Sequence, residues 1–113
     1  MFRHLTRNQG ATGFHLYTRD NAGLDADLRS RMYAPGGGID EDAATGSANC
    51  ALAALLAHVD GASDGDFRWR IAQGVEMGRP SLLYARARKS NGVVEAAYIG
   101  GASVMVAQGT IEA

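Results

Sequence analysis

Cysteine is almost absent from this sequence: Cys50 is the one cysteine in 113 residues. A disulfide framework is therefore excluded, and a reducing compartment, most simply the cytoplasm, is the expected setting. No apolar run approaches the roughly 20 residues that a membrane-spanning helix requires, and the first residues show no signal-peptide core. Excess charge is missing as well. Eleven basic and twelve acidic residues leave a net charge of −1, which provides no electrostatic footprint for nucleic acid or an anionic membrane. His4, His15 and His58 share no metal-ligand spacing with one another or with Cys50, so no metal site is expected. The glycine run Gly36 to Gly38 lacks the spacing of nucleotide-binding loops and reads as turn chemistry. There is no internal repeat and no low-complexity tract.

What is present suits one domain, residues 1–113. Hydrophobic residues make up 46% and there are 15 glycines, the composition of a compact fold with many tight turns. The stretch Asp40 to Val59 dominates. It opens on three carboxylates, Asp40, Glu41 and Asp42, and passes through Thr45-Gly46-Ser47. It then runs into a helical segment with Ala48, Ala51, Leu52, Leu55, Leu56 and Val59 on one face and Cys50, Ala53, Ala54 and Ala57 on the other. A helix with no polar face has to be enclosed, and a sheet curled around it is the expected wrapping. Thr45 or Ser47 serves as N-cap. The free amides of the helix start, beside a glycine that permits close approach, form a candidate carboxylate or phosphate site made of Thr45, Gly46 and Ser47. Asp42 stands just before it, placed for proton transfer on a small acid. Asp40 and Glu41 read as solvated charges, and Cys50 as an inert core residue.

Strands are expected around this helix. Residues 11–19 and Leu28 to Tyr33 are rich in strand formers, and the second is stopped by Pro35 and the glycine run. Residues 1–10 are polar and irregular, either the start of a strand or a frayed end. After the polar loop 60–66, Phe67, Trp69 and Ile71 alternate with Arg68 and Arg70, Trp69 anchoring the core. Ser81 to Arg88 and Val93 to Ile99 are joined by the hairpin turn Asn91-Gly92. Gly100-Gly101 reads as a bend or bulge, and Ser103 to Ala107 as a final long strand. Arg68, Arg70, Arg86 and Arg88 form polar strand faces satisfied by water. The fold class is α+β: a mixed, mostly antiparallel sheet wrapped around one central buried helix.

The run Arg31-Met32-Tyr33-Ala34-Pro35, then Gly38-Ile39, then Glu41 to Ala48, resembles the signature of the phenazine-biosynthesis PhzF family, related in fold to diaminopimelate epimerase. Gln73-Gly74, Met77 to Ser81 and Tyr98 to Gly101 continue the likeness in the same order, while Ala43 stands where the family usually carries proline. The resemblance implies one half, the C-terminal one, of a two-part architecture with an active site in the cleft between the halves. It further implies a cofactor-independent isomerase or epimerase acting on a small carboxylic acid. On that reading Asp42 is the acidic residue of this half, Gly46 and Ser47 hold the substrate carboxylate, and Gln73 lines the cleft. The family's principal acid/base glutamate belongs to the other half and has no match here. The chain is then expected either to belong with a missing N-terminal half or to pair with a second copy as a homodimer. The alternative function is a non-catalytic half-domain that binds a small acid or serves only in assembly.

Overall fold

A computed structural model describes residues 10–112; residues 1–9, expected to be irregular, lie outside the described residues. The sheet contains β1 (Phe14–Thr18), β2 (Leu28–Ala34), β3 (Ile39–Asp42), β4 (Gly65–Gln73), β5 (Ser81–Ser90) and β6 (Val93–Gly101), and the helix α1 is Gly46–Val59. Strand order is β1-β2-β4-β5-β6, with β3 paired to the far end of β2. All pairings are antiparallel except β2 with β4, which α1 connects as a crossover. The class is α+β with a mixed sheet, as the strand patterns indicate.

Local chemistry accounts for most of the elements. On β4 and β5 the cross-strand pairs Phe67–Ala87, Trp69–Ala85 and Ile71–Leu83 turn one face toward the helix. Phe67 and Trp69 stack with ring centroids 6.1 Å apart. The core joins Leu28, Leu52, Leu56, Ile71 and Leu83 with Ala53, Ala57, Ala85 and Ala87. Alanines on both partners let helix and sheet lie close, while each large aliphatic contributes about 1.5–3 kcal/mol by leaving water. The Asn91-Gly92 turn has both residues at positive φ (50° and 78°), the type I′ geometry that matches strand twist.

Five expectations are corrected by the structure. Residues 103–107 form no strand; the chain from 102 to 112 is exposed and joins no ladder. Gly100 and Gly101 continue β6, and the register irregularity falls at Arg88/Lys89 instead. The acidic approach to the helix is partly a strand, β3. Its Glu41 is not a loose surface charge: Arg31 grips it with two bonds of 2.8 and 3.0 Å, the fork geometry of a guanidinium on a carboxylate. The outer-face arginines are neutralised by carboxylates rather than by water alone. Arg68 and Arg86 meet Asp66, Arg70 meets Asp25 and Asp27, and Arg88 meets Glu95.

The fifth correction concerns enclosure. The sheet covers α1 from one side, chiefly through β5 and β6, and a stripe along the helix flank is open. Ala51 is exposed, and Leu55 and Val59 keep 51% and 66% of their surface in water. Their spacing of four residues is one helix face. Cys50 is half-buried on the flank, outside the core set. No helix among the described residues is long and apolar enough to cross a membrane.

The helix end is closed by an unusual cap. Lys89 is 6% exposed, and its Nζ donates to the carbonyls of His58 (3.3 Å) and Asp60 (2.8 Å). A cation on the carbonyls that end a helix satisfies both the orphan acceptors and the dipole. Replacing Lys89 with Met keeps the stem and removes those charge-assisted bonds, worth about 1.5–3 kcal/mol. Thermal denaturation is expected to show Lys89→Met melting at least about 5 °C below the native chain, and an unchanged melting temperature would remove the cap from the stability account.

Candidate active site

The site begins where β2, β3 and β4 meet the start of α1. Within β2, Leu28, Ser30 and Met32 alternate onto the helix face. Register carries that face across the sheet: Ser30 pairs with Gln73 on β4, Met32 with His15 on β1, and Met32 also with Asp42 on β3. Paired residues share a face, so His15, Asp42 and Gln73 are presented together beneath the helix tip.

Gln73 is fully buried and uses its whole carboxamide. Its Nε2 donates to the Asp42 carbonyl at 2.8 Å and to Thr45 Oγ1 at 3.0 Å. Its Oε1 accepts from the Thr45 amide at 3.1 Å and from Asn49 Nδ2 at 2.7 Å. Asn49, also fully buried, donates in addition to the Thr45 carbonyl at 2.9 Å, and its Oδ1 accepts from Ser30 Oγ at 3.2 Å. From the other side Ser81 Oγ donates to the Ala43 carbonyl at 2.9 Å. The turn into α1 is therefore tied to the sheet at Asp42, Ala43 and Thr45. Gly74 lets the chain after Gln73 pass beneath this turn. It has φ +75°, and a Cβ there would meet the carbonyl oxygens of Arg79 at 2.3 Å and Ala43 at 2.7 Å, distances no side chain tolerates.

The expected site residues come together in space, with divided roles. Thr45 is the N-cap by position but makes no side-chain cap. Its hydroxyl donates to Asp42 Oδ2 at 2.7 Å, and its amide is committed to Gln73. Thr45 and Gln73 thus spend these donors within the protein, bracing Asp42 and the helix start. Gly46 and Ser47 are different. The first bond within the helix runs from the Asn49 amide to the Thr45 carbonyl, 3.2 Å, leaving the Gly46, Ser47 and Ala48 amides without helical acceptors. Ser47 is exposed and its hydroxyl has no partner among the described residues. A Cβ on Gly46 would meet only an Ile99 methyl at 3.8 Å, so packing does not require glycine there. Asp42 is half-buried, held through one oxygen. No group of three potential metal ligands occurs among the described residues.

Asn49, Ser30, Ser81 and His15 escape a reading for catalytic patterns. The available signal was polarity in apolar places: an asparagine inside an alanine-rich helix, and a serine at an inward strand position. His15 has a fully buried Nε2 with no partner among the described residues. Burial pulls its pKa below the ordinary 6.5, opposed more weakly by a hydrogen bond with Asn49.

The geometry defines a carboxylate braced beside an open helix N-terminus on the mixed sheet of an α+β fold. Residues 3–109 match the phenazine biosynthesis-like protein family, PhzC-PhzF, and the chain belongs to that family. It is 38% identical over 97 residues to an uncharacterized isomerase of Mesorhizobium japonicum, covering 86% of this chain and 32% of that protein. It is 44% identical over 88 residues to trans-2,3-dihydro-3-hydroxyanthranilate isomerase of Pseudomonas aeruginosa, covering 78% of this chain and 31% of that enzyme. The corresponding isomerase of Pseudomonas chlororaphis is 43% identical over 90 residues, covering 80% of this chain and 32% of the enzyme. The chain spans about one third of the length of these relatives.

Two outcomes are expected from this arrangement. Gln73→Leu leaves the Asn49 amide and the Thr45 N–H buried with fewer partners, at about 1–3 kcal/mol for each group orphaned; chemical denaturation should show a loss of at least about 2 kcal/mol. A loss near zero would mean that the turn holds without Gln73. For His15, a folded-state pKa below the unfolded value means that the unfolded chain binds the proton more readily, so stability is present above pH 6.5 and declines as pH falls below it. Melting temperature should drop between about pH 7 and about pH 5, and His15→Gln should flatten that drop. Glu41, whose pKa is lowered by its bond to Arg31, stays ionised over that range, so equal drops in both proteins would rule out His15.

Proposed function

We propose that this chain is a PhzF-like isomerase or epimerase domain, one half of a diaminopimelate-epimerase-like fold, that moves a proton on a small carboxylic acid without a cofactor. One observation carries the reading: Asp42 is fixed at 2.7 Å by Thr45 immediately before a helix start whose first amides have no helical acceptors. Those amides, with the Ser47 hydroxyl, bind the substrate carboxylate, favoured by the positive end of the helix dipole. Asp42 takes a proton from a neighbouring carbon and returns it to another position of the same conjugated acid. One C–H bond breaks, one forms, and no electrons leave the substrate. The names of the relatives make a dihydro-hydroxyanthranilate the first substrate to try.

Incubating the chain with trans-2,3-dihydro-3-hydroxyanthranilate in deuterated water should wash deuterium into the carbon skeleton, read by mass spectrometry. Asp42→Asn keeps an acceptor for the Thr45 hydroxyl, so its melting temperature should stay close to native while exchange falls by about 10²–10⁴-fold. Exchange that survives in Asp42→Asn would take the acid/base role from Asp42. Ligand binding without any exchange in the native chain would favour a half-domain that binds a small acid or only assembles, a reading supported by the single carboxylate at this site.

A further inference from the structure

The sheet stops where the helix still needs cover. β6 is the last strand in the order, and α1 lies over β5 and β6, so the helix flank beyond β6 has no strand beneath it among the described residues. Leu55 borders a hollow shared with Ala54, His58, Gly92, Val93 and Val94, and Leu55, Val59 and Val93 are 51%, 66% and 63% exposed. The free edge of β6 runs for nine residues, contains no proline and carries a single charge, Glu95. Long, weakly charged edges of this kind are templates for another strand.

The same chain also carries strand-forming residues that join no ladder. After Gly101 the segment 102–110, ASVMVAQGT, has no charge, joins no ladder, and leaves Val104, Met105 and Val106 at 84%, 86% and 88% exposure. Taken up as a strand, this segment would put Val104 and Val106 on one side and Met105 on the other, so a valine pair is available to face an apolar helix stripe.

We propose that the tail of a second copy, residues 103–107, docks along the free edge of β6 and covers the Leu55–Val59 stripe, with the exchange repeated reciprocally across a two-fold axis. Donor and acceptor are both present on one chain, and reciprocal exchange closes the assembly at two copies. Main-chain bonds along the edge supply affinity, and the alternate side chains facing the helix supply register. The contact is independent of the chemistry assigned to Asp42, so its test reads mass and not turnover.

Light scattering across a concentration series should give twice the protomer mass of 11.9 kDa for the native chain. Val104→Lys/Val106→Lys should be monomeric with an unchanged circular-dichroism melt, because both side chains lie in water in the single copy. Leu55→Lys, altering an exposed acceptor position, should also be monomeric. A native chain that stays monomeric at every concentration overturns the proposal. So does a tail double variant that remains dimeric, which would assign dimerisation to edges or helices without strand exchange.

Discussion

The buried carboxamide of Gln73 is the interaction on which the rest of this structure depends. Two donors and two acceptor contacts leave one side chain at the end of β4 and fasten the turn between β3 and α1. A primary amide is suited to this because it offers both polarities in one plane and remains neutral, so full burial carries no charge-desolvation cost. A glutamate there would lack the donors, and a leucine would leave the turn's polar atoms unanswered. The position of Asp42, the direction of the helix and the exposure of its first amides all follow from this attachment, which is why residues 31 apart in sequence act as one unit.

The two ends of α1 are treated in opposite ways. At its C-terminal end Lys89 reaches from β5 to occupy the last carbonyls, whereas at its N-terminal end the side chain expected to cap is turned away. Thr45 faces Asp42 instead. A helix normally gains about 1 kcal/mol from such a cap, so leaving the first amides open is a local concession that the Gln73–Asn49 network offsets. Departures from local optimum of this kind concentrate where a ligand is handled.

Much of the fold was legible because it is written in short-range chemistry. The alternation through Phe67, Trp69 and Ile71, the Asn91-Gly92 turn and the alanine-leucine run each specify an element without distant partners. What escaped depends on partners far along the chain. Ile39–Asp42 reads as an acidic turn until Arg31 is seen opposite Glu41. Ser103 to Ala107 has strand-forming residues, yet strand propensity describes fit to a pleated neighbour, and none is there in the single copy. The one-sided cover of α1 was hidden by its alanines and by Leu55 and Val59, which look equally apolar whether they face protein or water. At the site, Asp42, Thr45, Gly46, Ser47 and Gln73 were visible as a pattern, while the bonds that join Gln73 to Thr45 and Asn49 were not. A polar residue's sequence position does not reveal whether its hydrogen bonds are spent inward or held for a ligand.

Tethering Asp42 through a single oxygen has a consequence for handedness. With Oδ2 engaged by the Thr45 hydroxyl, Oδ1 has no partner among the described residues, and the carboxyl plane cannot swing about the side-chain axis without breaking that bond. A flat carbanion held by its carboxylate at the helix tip would then meet the proton donor from one side only. Under the proposed function, chemistry run through this carboxyl alone would deliver hydrogen to the same molecular face from which it was removed, the course of an isomerase that shifts a proton between carbons and not of an epimerase.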